Sequence, residues 1–150
     1  MKNLLATAAS VLVLGLAAPA MAVDSNNSNV NQDGYGQTVE VEQIGSRGAV
    51  NTSTIEQGLG AGDSYYNYAK VTQDGTRGLK NTSTIYQDGV SNISLVDQKG
   101  DGRGGDQNTS TIDQDGTGNF AKVTQSDTIN NNYSYVKQNG SYNAATVNQH

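Results

Sequence analysis

The chain has 150 residues, 34% of them hydrophobic and 15% charged, with 18 Gly, one Pro, one His, no Cys, no Trp and a formal charge of −5. Without cysteine there is no disulfide, thiol nucleophile or cysteine metal site, and with His150 as the only imidazole most catalytic chemistry is disfavoured. Asn and Gln fill 29 positions against a single Phe, too little apolar material for an ordinary globular core, so a structural or binding role is a better starting point than an enzyme.

In chain order, Lys2 precedes an apolar run from Leu4 to Leu16 and the small-residue pattern Ala20-Met21-Ala22. These predict a secretory signal peptide over 1–22 and an exported, extracellular product. The run is short for a membrane span and no later stretch approaches it, so no membrane span is expected. Without Lys2, eight basic residues face fourteen acidic ones, which argues against nucleic acid as a partner. The sole proline, Pro19, lies in the leader, and everything after it is free to pair its backbone in sheets.

After a short segment, 23–25, a repeat takes over. Ten segments share Asn (once Gln), any residue, a small residue, any residue, Val or Ile, any residue, Gln. They pair into five units at 26–43, 51–73, 81–98, 108–125 and 132–149. The repeated residues recur at every second position, the period of a strand. Asp-Gly pairs at Asp33, Asp74, Asp88 and Asp115 supply turn chemistry. Each unit therefore reads as strand, turn, strand. Two less regular stretches, 58–66 and 99–107, read as surface loops.

The side that repeats is the side that must be buried. It places Val30, Val41, Ile55, Val71, Ile85, Val96, Ile112, Val123, Val136 and Val147 in a thin core between two sheets. Those ten residues offset too little of the entropy of ordering the chain, so the units are expected to stack, each gaining backbone partners on both sides. Stacking also gives the inward amides partners. Ladders are expected from Asn51, Asn81, Asn108 and Asn132, from Gln57, Gln87, Gln114 and Gln138, and from Gln43, Gln73, Gln98, Gln125 and Gln149. The fold class expected is all-β, a five-rung β-solenoid of amyloid-like cross-β character. Asp33, Asp88 and Asp115 are expected to align and repel as gatekeepers against premature assembly, with Asp74 a further turn candidate. Outside, Glu40 is expected beside Lys70, and Tyr68, Ile93 and Phe120 in one apolar column.

The pattern Gln-x-Gly-x-x-Asn-x-Ala-x-Val-x-Gln, at Gln114 to Gln125 and Gln138 to Gln149, resembles the repeat of curlins, the fibre subunits of bacterial curli. Five such repeats span most of the chain. Curlin first strands usually open with Ser, where Asn51, Asn81, Asn108 and Asn132 stand here, so the resemblance is to a divergent, major-subunit-like member. It implies a secreted subunit that passes unfolded through an outer-membrane secretion channel, meets a nucleator subunit, and self-assembles into a homopolymer fibre for biofilm matrix and adhesion. Neither a cofactor nor a metal is called for, since the calcium β-roll consensus is absent. Two alternatives stand beside this one. The chain could itself be a nucleator or minor subunit, or an ice-binding solenoid using the outward pairs Thr52 and Thr54, Thr82 and Thr84, Thr109 and Thr111.

Overall fold

The computed structural model describes residues 11–17, 24–60, 63–100, 106–127 and 131–150. Alternating small and β-branched residues with polar ones favour extended backbone, and eleven strands result. They are β1 (Val11–Ala17), β2 (Ser25–Gln32), β3 (Thr38–Ser46), β4 (Val50–Gln57), β5 (Tyr68–Thr76), β6 (Lys80–Val90), β7 (Ile93–Gly100), β8 (Gln107–Thr117), β9 (Phe120–Asp127), β10 (Asn132–Ser141) and β11 (Ala144–Gln149). Sheet I has the order β1-β3-β5-β7-β9-β11 and sheet II the order β10-β8-β6-β4-β2. Every pairing is parallel. One strand of each sheet makes a rung, and the five rungs from β2–β3 to β10–β11 form a β-solenoid, as the repeat predicts.

Register is identical from rung to rung. Asn26, Asn51, Asn81, Asn108 and Asn132 stand in one column of sheet II. Val41, Val71, Val96, Val123 and Val147 stand in one column of sheet I. Ile55, Ile85, Ile112 and their sheet I partners form the sealed centre of the slab, with Val30, Ala145 and Val147 only partly covered at the two ends. The terminal strands β2 and β11 have no residue that is fully buried, in contrast to the strands between them.

The two corners are built differently. At the first, Asp88-Gly89 and Asp115-Gly116 turn the chain with φ of 93° and 118° at the glycines. Successive backbones lie so close there that a Cβ on Gly116 would collide with the carbonyl oxygen of Gly140. At the second corner the turn is Arg47-Gly48 and Arg77-Gly78, all four residues at positive φ. Asp74-Gly75 makes no such corner: Gly75, unlike Gly89 and Gly116, is not at positive φ, and both residues continue β5. The second strand of that unit runs on past its Gln, and Asp74 stands in register between Ile44 and Lys99.

In the stretch read as a leader, Val11–Ala17 forms β1, an added strand parallel to β3 with Leu16 in register beside Gln43. The rest of the expected leader lies outside the described residues. So does most of the expected loop 99–107, and residues 61–62 of the loop 58–66.

The close backbone approach makes a prediction. Gly116→Ala should cost at least about 1 kcal/mol more stability than Gly78→Ala. Both residues have positive φ, but a Cβ on Gly78 meets nothing. Denaturant midpoints of the two variants check this, and equal midpoints would contradict the corner packing described.

Candidate functional site: amide ladders and two open ends

A buried primary amide needs partners for two N–H groups and a carbonyl, and leaving one unpaired costs roughly 1–3 kcal/mol. The stack supplies them. In sheet II each Nε2 donates to the Oε1 of the next rung, Gln32 to Gln57, Gln57 to Gln87, Gln87 to Gln114 and Gln114 to Gln138, at 2.7–2.9 Å. In sheet I the same ladder runs Gln43 to Gln73, Gln98, Gln125 and Gln149 at 2.7–2.8 Å. The second N–H of an interior glutamine reaches a carbonyl of the facing sheet, as Gln87 does to Tyr68 at 3.1 Å and Gln98 to Thr82 at 2.9 Å.

The asparagine ladder of sheet II runs the opposite way. Nδ2 of Asn51, Asn81, Asn108 and Asn132 donates to Oδ1 of the preceding rung at 2.9–3.1 Å. In sheet I the asparagines use another pattern that sequence reasoning missed. The Oδ1 atoms of Asn67, Asn92 and Asn119 accept the backbone N–H of Asn92, Asn119 and Asn143, while Nδ2 of Asn92 and Asn119 bonds the corner carbonyls.

These directions give the stack two chemically different ends. At the β2–β3 end, the head, no described side chain donates to Oε1 of Gln32 or Gln43. At the β10–β11 end, the tail, Gln138 and Gln149 donate, among the described residues, only to the carbonyls of Phe120 and Tyr133, which leaves each one N–H for a further rung. Among the described residues Asn26 at the head donates only to the Gln43 carbonyl, whereas Asn51 one rung on donates to both Asn26 and the Ile44 carbonyl. Head acceptors thus match tail donors for glutamine, and a spare head donor matches the tail Oδ1 for asparagine.

Three departures interrupt the regular pattern. Gln37 takes the place of asparagine in its column. One methylene longer, it donates to the Asp33 carbonyl and leaves its Oε1 buried without a partner. The inward serines Ser28, Ser53, Ser83, Ser110 and Ser134 also have hydroxyls without partners, because strands about 4.8 Å apart hold successive hydroxyls too far for direct bonding. The aspartates, finally, do not form a continuous column. Asp88 stands beside Asp115, but Gly58 occupies the equivalent place in the second rung and separates Asp33 from them. The insertion that follows Gly58 passes over Asp88, where a Cβ on Gly60 would strike the carboxylate.

Outside, Glu40 and Lys70 pair at 3.1 Å. The Lys70 ammonium and then the Tyr68 hydroxyl hold the Glu40 carboxyl below its usual range, and the same pairing raises Lys70. Lys137 pairs with Asp113 at 2.6 Å. Such exposed pairs contribute little to stability and serve register. Tyr68, Ile93 and Phe120 are in register on the outer face of sheet I. Among the described residues no group of three or more acidic or histidine side chains could hold a metal ion, and no helix is long and apolar enough to cross a membrane. No family model, curated protein or solved structure matches the chain.

Two substitutions read the ladders directly. Gln87→Ala leaves one Gln57 N–H without an acceptor and the Gln114 Oε1 with the Ser94 hydroxyl as its remaining donor, so it should destabilise by about 2–5 kcal/mol, while Ser83→Ala removes an unpaired hydroxyl and should be neutral or stabilising by up to about 1 kcal/mol. Gln37→Asn should add about 1 kcal/mol by restoring the shorter amide of its column. Chemical denaturation of the three variants checks all of these, and a Ser83→Ala loss as large as that of Gln87→Ala would contradict the ladder account.

Proposed function

We propose that the protein is a secreted structural subunit that polymerises head to tail into extracellular amyloid-like fibres of the curli kind, serving biofilm matrix and surface adhesion. The observation that carries this reading is the complementarity of the two ends. A surface that matches a different surface of the same molecule cannot close on itself by simple stacking, so it generates an open filament. Neither terminal rung carries the proline or inward charge by which soluble sheet proteins block their edges.

Charge favours the same polarity. Residues 24–46 hold Asp24, Asp33, Glu40 and Glu42 and no Lys or Arg, while residues 131–150 hold Lys137 and no Asp or Glu. Head-to-head contact would oppose two acidic rungs, whereas head-to-tail contact places the acidic rung beside one without acidic side chains. In the full chain β1 covers the sheet I edge of the head with Leu16 beside Gln43, so the head that docks belongs to a chain whose leader has been cleaved. The repeat's resemblance to curlins adds the remaining partners, an outer-membrane secretion channel and a nucleator subunit.

A second reading has one observation in its favour. Thr52, Thr82 and Thr109, and Thr54, Thr84 and Thr111, stand in register on the outer face of sheet II, a flat hydroxyl array of the kind that could order ice. It is three rungs deep and ends at Asn27 and Asn29 on one side and Tyr133 and Tyr135 on the other. Fibre formation is the reading preferred.

Incubation of the chain from Val23 onward at neutral pH, followed by dye binding, electron microscopy and fibre diffraction, tests the proposal. Fibres with a meridional spacing of about 4.8 Å are expected, and Gln149→Ala should elongate more slowly than Thr82→Ala. A protein that stays folded and monomeric would overturn the fibre reading, and thermal hysteresis in that monomer would favour ice binding.

A further inference from the structure

Tyr35 and Tyr66 meet at the first corner on consecutive rungs, with ring centroids 5.6 Å apart and planes at 85°. Both rings are open to solvent, at 45% and 58% exposure. The pair is held by more than ring contact. The Tyr66 N–H donates to the Tyr35 carbonyl at 2.9 Å, and the Tyr35 N–H donates to the Ser64 carbonyl at 3.0 Å. Tyr66 sits at φ 56°, a conformation unfavourable for a bulky side chain, and its ring lies over Gly36, where any Cβ would strike it.

The last rung repeats this arrangement without the partner. Tyr142 has φ 57°, its ring covers Gly118, and its N–H donates to the Thr117 carbonyl. Thr117 thus stands where Tyr35 would be. Tyr65, the register neighbour of Tyr35, is engaged by Asp63, whose charge and hydrogen bond raise the Tyr65 pKa.

The geometry points to an oxidative cross-linking site, in which a one-electron oxidant of the peroxidase and hydrogen peroxide class joins Tyr35 to Tyr66 as dityrosine. Each phenol gives up one electron and one proton, and the two phenoxyl radicals form a carbon–carbon bond between ring positions ortho to oxygen. The hydrogens on those carbons then move to the oxygens as aromaticity returns. The two electrons and two protons released reduce one hydrogen peroxide to two waters. With ring centroids 5.6 Å apart, side-chain rotation from the edge-to-face arrangement is the motion needed to bring two ortho carbons together, whereas isolated exposed tyrosines must first meet by diffusion. The product ties the first rung to the second covalently, in a chain that has no cysteine to do so.

The test treats dilute purified protein with a haem peroxidase and hydrogen peroxide, then reads dityrosine fluorescence and maps cross-links by tandem mass spectrometry of a tryptic digest. The expected product is an intramolecular link between Tyr35 and Tyr66 with the loss of two hydrogen atoms in mass. Tyr35→Phe and Tyr66→Phe, which keep the ring packing, should each abolish it, while Tyr65→Phe and Tyr142→Phe should leave its yield unchanged. Links spread over Tyr133, Tyr135 and Tyr142, or an undiminished intramolecular yield in Tyr66→Phe, would overturn the assignment.

Discussion

The buried side-chain amide is the constraint on which the rest of the structure depends. Apolar alternation alone fixes which face is inward and so forbids a slip by one residue, but a slip by two would keep every Val and Ile inside. The amides remove that freedom. A two-residue slip would set Gln87 beside an isoleucine instead of Gln57 and Gln114, orphaning donors and acceptors in a dry slab at roughly 1–3 kcal/mol each. Parallel strands, identical register and constant rung spacing all follow from satisfying those groups.

Because an amide has a donor end and an acceptor end, a ladder of amides has a direction. Glutamine donors point toward the tail in both sheets, and the sheet II asparagine donors point toward the head. Opposed ladders partly cancel along the stack axis, and they leave each end with a mixed, specific pattern of vacant donors and acceptors. A fibre built from such units inherits one polarity from them, without any additional contact surface.

Much of this was legible in the residues. The period of two, the pairing of segments by their glutamines and the face assignment depend on short-range pattern, which the chain displays ten times over. What failed to show depended on where a familiar dipeptide fell within the unit. Asp74-Gly75 is locally the same as Asp88-Gly89, yet it follows the second glutamine of its unit, and its glycine does not adopt the positive φ that Gly89 has. The insertion after Gly58 shifted the aspartate column, although Asp88 and Asp115 align as expected. Gln37 looked interchangeable with asparagine, and only the geometry of the corner reveals that one extra methylene strands its carbonyl. Ladder direction, the unpartnered serines and the Tyr66 ring over Gly36 carry no sequence signature, because each depends on the rung above or below.

The most direct measurement is solid-state NMR on fibres grown from a mixture of differently labelled copies, one carrying nitrogen label and the other carbon label. The account predicts between-copy contacts from the Gln149 side-chain nitrogen to the Gln43 side-chain carbonyl, and from Gln138 to Gln32. Contacts of Gln43 with Gln43 or of Gln149 with Gln149 across the joint, or glutamine side-chain nitrogens at the joint in rapid exchange with water, would contradict it.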